Sequence, residues 1–243
     1  MIAHLDVAAT PAAAAERANV ATVVVIDVLR ATSTIVAALE AGAQAVIPVA
    51  EPAGARAVAR HFPNEDRLLC GERESLLIAG FDLDNSPASY TRERVAGKLL
   101  ILTTTNGTRA LLAATLAGKK TAVYCAALTN RRAIVERLAA SAGDARLLCA
   151  GSAGTLSFED LLGAGAIVHG LLRRNGALAL SDEARAAATV YGALEDRLAG
   201  AVAAGTHARA LVAAGFAHDV AACAQIDVSG CVPRYAGGRI EAG

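Results

Sequence analysis

Two strand-to-helix turns hold the residues best suited to chemistry. Thr103 to Arg109, TTTNGTR, places four hydroxyls, an amide, a glycine and a guanidinium between an apolar strand, Lys98 to Leu102, and an apolar helix, Ala110 to Leu116. Those are the parts of a phosphate cradle. Gly107 lets backbone N–H groups approach oxygens closely, hydroxyls donate, and Arg109 can pair with a dianion. A plain capped helix with an Asn-Gly turn needs one hydroxyl, not four. Neither a Walker lysine sequence nor a GxGxxG pattern is present, so nothing points to a nucleoside triphosphate or dinucleotide.

The turn Asp27, Arg30, Thr32, Ser33 repeats this logic and adds a carboxylate at the tip of a buried strand. Such an aspartate suits magnesium or attack on phosphorus, while Arg30 would neutralise phosphoryl oxygens. The phosphatase arrangement with a second aspartate two positions on is absent, because that position is Leu29. Glu72 and Glu74, on either side of Arg73, then Asp82, Asp84 and Asn85, supply more hard oxygen donors, although any one of them taken alone is equally a solvated loop group. Magnesium needs only one or two carboxylates beside waters and substrate phosphate. Glu159 and Asp160 read as first-turn acids of a helix, and Asp227 beside Gln225 is ambiguous. The five histidines are scattered, and His61, His169 and His207 read as structural or surface groups.

Positioning these turns requires β-loop-α units. Val23 to Ala50 reads as strand, polar turn, apolar helix closed by Gly42, and strand. At an offset of 76 the second turn matches it without a gap, Thr32 falling on Thr108 and Gly42 on Gly118. At an offset of 123 a third match puts Thr155 on Thr32 and Gly165 on Gly42, with Gly151 to Ser157 as the turn. Plain α/β periodicity would give the same likeness. Around these units the pattern predicts a strand over Ile2 to Val7, helices from Pro11 to near Asn19, from Glu51 to Phe62 and from Asn130 to Ser141, a strand over Arg67 to Gly71, and an acceptor-rich loop from Leu76 to Tyr90. From Ser181 the pattern is helical, and the tail from Cys231, with Pro233 and paired glycines, is expected to fray. The fold class is therefore α/β, a mainly parallel sheet flanked by helices with a helical carboxy-terminal part and the site at the strands' carboxyl ends. One unit, 1–243, is expected, with room for two α/β subdomains around a cleft and no linker between them.

Composition narrows the partners. Basic and acidic residues balance at 23 each, which removes the bulk electrostatic case for nucleic acid or an anionic membrane and leaves a small anionic molecule in a local pocket. Hydrophobic residues make up 54% and charged residues 19%, with no Trp, favouring tight helix-on-sheet packing over an aromatic stacking surface. The odd number of cysteines, five and widely spaced without a CxxC pair, reads as buried small hydrophobes in a reducing compartment rather than a zinc site. The amino terminus lacks a basic leader and no apolar run is long enough to span a bilayer, so a cytoplasmic protein is expected. Alanine-rich carboxy-terminal helices offer a face for a homodimer.

Five separated segments, VVIDVLRATSTIVAALEAGA (24–43), GERES with GFDLDNSP (71–75 and 80–87), LTTTNGTRAL (102–111), CAGSAGTLSFEDLLGAG (149–165) and DVAACAQIDVSGCVP (219–233), together resemble the 2-phosphosulfolactate phosphatase (ComB) family over nearly the whole chain. The resemblance implies a magnesium-dependent phosphohydrolase that releases phosphate from 2-phospho-3-sulfolactate to give 3-sulfolactate, a step toward coenzyme M where that pathway exists. It implies site residues at Asp27, Arg30, Thr32, Ser33, Glu72, Arg73, Asp82, Asn85, Ser86, Thr104, Thr105, Asn106, Gly107, Thr108, Arg109, Ser152 and Glu159. Joined to the chemistry above, the expected catalytic groups are Asp27, Arg30, Glu72 and Arg109. Asp27 with Glu72 or Asp82 would hold Mg²⁺, and the remaining polar members would bind substrate. The other reading is a non-catalytic sensor of an anionic phosphorylated metabolite, against which the carboxylates beside the arginines argue, since a pure anion binder gains nothing from them.

Overall fold

The computed structural model describes residues 2–17, 19–118 and 120–243. In chain order the first half contains β1 (Ile2–Ala8), α1 (Pro11–Ala15), β2 (Thr22–Ile26), α2 (Ala31–Glu40), β3 (Ala45–Pro48), α3 (Pro52–Ala59), β4 (Arg67–Arg73), β5 (Leu76–Leu77), α4 (Arg92–Val95), β6 (Leu99–Thr103) and α5 (Gly107–Thr115). Then follow β7 (Ala122–Ala126), α6 (Arg131–Ala139), β8 (Gly143–Cys149), α7 (Phe158–Arg174), β9 (Ala179–Leu180), α8 (Asp182–Leu194), α9 (Leu198–Ala203), α10 (Thr206–Ala213), α11 (Ala217–Cys223), β10 (Pro233–Ala236) and β11 (Arg239–Ala242). The helix after Pro11 ends at Ala15, short of the expected Asn19, and Ala18 within that expectation lies outside the described residues.

The strands form one sheet in the order β5-β4-β6-β3-β11-β10-β7-β2-β8-β1-β9. β4, β6 and β3 are mutually parallel, as are β7, β2, β8, β1 and β9. Between these two groups lies the carboxy-terminal hairpin, paired antiparallel with β7 on one side and with β3 on the other. The tail thus does not fray as the sequence suggested. Gly237 and Gly238, at φ +57 and +88, make the two-residue turn whose twist suits a hairpin, and Ile240 is fully buried opposite Val46. Three successive antiparallel pairings reverse the sense of the strands. In a flat sheet the carboxyl ends of the two groups would lie on opposite edges, yet turns from both groups line one cavity.

β2 is buried at every position. Val24 and Ile26 face a core completed by α6, α7 and α8, while Val23 and Val25 face a second core holding Ile35 and Leu39 of α2, Leu111 of α5, Leu100 and Leu102 of β6 and Ile240. Helices α2 and α5 are therefore enclosed between the two parallel groups. A smaller core seats α3 on the outer face of β4 and β6 through Ala55, Ala59, Leu69, Phe81 and Ile101.

The expected end of the third unit's helix at Gly165 does not occur. α7 runs on to Arg174, and Gly165 is where α8 crosses closest: a Cβ there would sit 2.2 Å from the Ala187 carbonyl oxygen. Thr155 does not take the place of Thr32 either, since it lies in a tight turn and the helix is capped by Ser157, whose hydroxyl accepts from Asp160 N–H. Among the described residues no helix is long and apolar enough to cross a membrane.

Candidate active site

The carboxyl-terminal turns of both parallel groups open onto one cavity of about 590 Å³. From the β2 turn come Asp27, Leu29 and Arg30, and from the β6 turn Thr104, Thr105 and Asn106. The β4–β5 hairpin contributes Glu72, Arg73, Glu74 and Ser75; the loop before α4 gives Asn85, the β8 turn Ser152 and Ala153, and the start of α10 His207. Two tight turns flank the opening. Glu74 and Ser75, at φ +52 and +67, join β4 to β5, and Ala153 with Gly154, at +49 and +77, closes the Ser152–Thr155 bridge. Both pairs adopt the doubly left-handed geometry of two-residue hairpins, and Ser75 N–H is held by Glu72 Oε2 at 2.9 Å.

The β2 and β6 turns share one hydrogen-bond scaffold. Thr32 Oγ1 accepts from Asp27 N–H and donates to Asp27 O, at 3.0 and 2.8 Å. Thr108 Oγ1 accepts from Thr104 N–H and donates to Thr104 O, both at 3.0 Å. These buried threonines lock strand end to helix start, so Thr32 and Thr108 build the turns rather than reach into the cavity. Ser33 Oγ likewise donates to Val28 O. The expected cradle is narrower than the full TTTNGT run, because Thr104, Thr105 and Thr108 N–H groups donate to Thr108 Oγ1, Glu72 Oε1 and Thr104 Oγ1. Asn106 and Gly107, at the start of α5 where backbone N–H groups lack intrahelical partners, are left as its amides. Gly107 is needed for contact between the two turns: a Cβ on it would lie 2.4 Å from Ala31 Cβ and 2.5 Å from Asp27 Oδ2.

Asp27 is 6% exposed, and its Oδ1 accepts from Ala31 N–H at 3.1 Å. Burial, with the carboxylates of Glu72 and Glu159 adding to it against the Ala31 N–H and Arg30, pushes its carboxyl up to about 7. Asp160, fully enclosed, is also raised, by burial and then by Asp27 and Glu159. Its two oxygens accept from Val28 N–H at 2.8 Å and Gly151 N–H at 3.1 Å, tying the β8 turn to the β2 turn. Glu72 accepts from Thr105 N–H and Ser75 N–H and so braces the hairpin against the β6 turn.

The predicted arginines divide. Arg30 lines the cavity, buried, with Nη1 on Asp219 Oδ2 at 2.7 Å, Nη2 on Ser75 O at 3.0 Å, and Phe216 covering its face at 4.2 Å. Arg73 spends its donors on the carbonyls of Glu72 and Ala50, on Thr103 Oγ1 and on Glu51. Arg109 lies outside the cavity, half-exposed and paired with Glu51 at 2.7 Å, because its place on α5 turns it toward α3. Asp82 is also outside: exposed, with Oδ2 accepting from Leu69 N–H, it pins the loop to β4 and does not join Asp27 and Glu72. Ser86 is buried away from the lining, its hydroxyl on Asp219 Oδ1 at 2.6 Å. Asn85 fits its expectation in place, with a buried Oδ1 that finds no partner among the described residues.

Leu29, Ser75, Ala153 and His207 line the cavity without having been read as site residues, and Asp219 backs Arg30 from outside the lining. Asp219 opens the last of the segments that carry the family resemblance but received no role from it, and His207, scattered among unrelated histidines, gave no spacing signal. α10 brings His207 into the lining, and α11, packed on α9 and α10, brings Asp219 to Arg30.

The family model for 2-phosphosulpholactate phosphatase matches residues 8–238. Curated relatives named probable 2-phosphosulfolactate phosphatase include one from Symbiobacterium thermophilum, 39% identical over 89% of this chain and 92% of its own. Another, from Caldanaerobacter subterraneus subsp. tengcongensis, is 40% identical over 90% and 89%, and one from Clostridium acetobutylicum is 37% identical over 93% and 94%. The match takes in all four cavity-lining turns together with α10 and α11, and on that extent the chain belongs to the 2-phosphosulfolactate phosphatase family of enzymes.

Proposed function

We propose that the protein is a magnesium-dependent phosphohydrolase acting on 2-phospho-3-sulfolactate or a related small anionic phosphomonoester. The observation that carries this reading is the buried Asp27 carboxylate, crowded by Glu72 and Glu159 and facing a cavity that also holds the Arg30 guanidinium. Magnesium fits these residues. Carboxylates held close enough to raise one another's proton affinity are stabilised by a hard divalent cation, and one or two suffice beside water and phosphate. Among the described residues no three His, Cys, Asp or Glu side chains form a ready-made cage. Asp27 would hold the ion with Glu72, whose oxygens keep lone pairs beyond those used by Thr105 and Ser75. Bound there, the ion would neutralise charge on the phosphoryl oxygens.

Phosphoryl transfer asks a protein chiefly for positioning and charge stabilisation. Arg30 gives the phosphoryl group a fixed donor edge. The Asn106 and Gly107 amides meet it from the α5 start, and Asn85 and Ser152 line the side where the rest of a small substrate would sit. The test is phosphate release across a panel of phosphomonoesters with and without Mg²⁺. Release that favours phosphosulfolactate and stops with chelator is expected. Absence of release from every phosphomonoester in the presence of Mg²⁺ would overturn the reading.

A further inference from the structure

We propose that Asp219 is a positioning residue: it aims the Arg30 guanidinium at an anion in the cavity, and binding there depends on that aim more than on net charge. The inference rests on the reading of the cavity as a phosphoryl site. Four segments converge on this pair. Asp219 comes from α11, Ser86 from the loop before α4, Ser75 from the β4–β5 hairpin and Arg30 from the β2 turn.

Both carboxylate oxygens of Asp219 are engaged, one by Arg30 Nη1 and one by Ser86 Oγ, and its side chain and that of Arg30 are 4% and 2% exposed. A buried ion pair of this kind is a poor source of stability, since desolvating both charges offsets most of their attraction. What it fixes well is direction. Guanidinium is a planar fork of five donors. Asp219 and Ser75 O take two of them and Phe216 covers one face, which leaves an edge of Arg30 in the cavity wall.

Opposite signs separate aiming from simple neutralisation. Were Asp219 only a counter-charge, its removal would make the site more positive and tighten anion binding. If it aims Arg30, removal releases the fork and weakens binding. The experiment measures the Kd for inorganic phosphate by calorimetry on the full-length chain with Mg²⁺ present, beside the unfolding temperature and the KM and kcat for phosphate release. Asp219→Ala is expected to weaken phosphate about tenfold and to raise KM more than it lowers kcat. Ser86→Ala, which loosens the carboxylate without touching charge, should shift Kd in the same direction by less. Asp219→Asn keeps the volume and carries the test if the alanine variant does not fold. Unchanged or tighter phosphate binding in folded variants would overturn the proposal, as would failure of the parent protein to bind phosphate. The phosphomonoester panel decides the phosphatase reading separately.

Discussion

The β2 and β6 turns are built alike and do different things. In each, a buried threonine in the helix's first turn closes both backbone groups of the residue just past the strand, and in each an apolar helix follows into the same core. They differ in what stands at the strand tip. The β2 turn places Asp27 there, with Arg30 three residues on, whereas the β6 turn places Thr104 and brings Thr105 and Asn106 to the cavity. One scaffold thus presents a carboxylate with a cation on one side of the cleft and uncharged donors on the other. Near-identical local structure says where chemistry can sit, and the residue at the tip says what it is.

The comparison breaks most sharply at Asp27. Asp27→Asn is expected to reduce Mg²⁺-stimulated phosphate release by at least about 10²-fold, while the corresponding change at the β6 tip, Thr104→Val, lowers it far less; steady-state assays of both variants decide. Stability should move the other way. A carboxyl held at about 7 rather than 3.8 keeps its proton in the folded chain over a range where the unfolded chain has lost it, so the metal-free protein is destabilised as pH rises between those values. The slope approaches about 1.4 kcal/mol per pH unit for one such group. Asp27→Asn removes its share, leaving a residual slope of the same sign from Asp160, and urea unfolding at pH 5 and pH 8 reads both. A slope unchanged in the variant would contradict the crowded-carboxylate account.

Next in size is Gly107→Ala, which forces a methyl into the contact between the two turns. Overpacking of this kind costs about 1–3 kcal/mol. Because one of the displaced atoms is Asp27 Oδ2, activity should fall with stability, measured by thermal unfolding and turnover on the same preparation. Thr32→Val and Thr108→Val sharpen the likeness itself. Each removes one hydroxyl serving two buried backbone groups, and equal losses of about 1–3 kcal/mol are expected, with turnover falling further for Thr32→Val. Unequal stability losses would show that the two scaffolds are not equivalent. The smallest effect belongs to Arg109→Ala. Its half-exposed pair with Glu51 is worth no more than about 1 kcal/mol, and kcat/KM should stay close to that of the parent.

Much of the cleft was readable before the structure because the signals are local. Buried strands ending in Asp27 and in Thr103–Thr105, and helices closed by Gly42 and Gly118, follow from hydrophobic period and turn chemistry. Asn85, Glu72 and Ser152 fell into the cavity as expected. Arg109 and Asp82 did not, since a charge in a motif can face either side of its element and local pattern does not choose. The carboxy-terminal hairpin was missed for a related reason. Pro233 and Gly237–Gly238 look like breakers, and the hairpin is secured only by β7 and β3, more than a hundred residues earlier in the chain.

By itself, then, the sequence determined the β-loop-α units and the polar tips of their strands, because each rests on neighbours within a few turns of chain, and the family, because five separated segments resemble it together. Tertiary structure alone decided which tips face one another. Turns from two oppositely running strand groups meet at one cavity, α10 carries His207 to it and α11 carries Asp219 to Arg30, and the enclosure buries Asp27 beside Glu72 and Glu159. Desolvation and charge proximity are properties of that enclosure, and no run of residues encodes them alone.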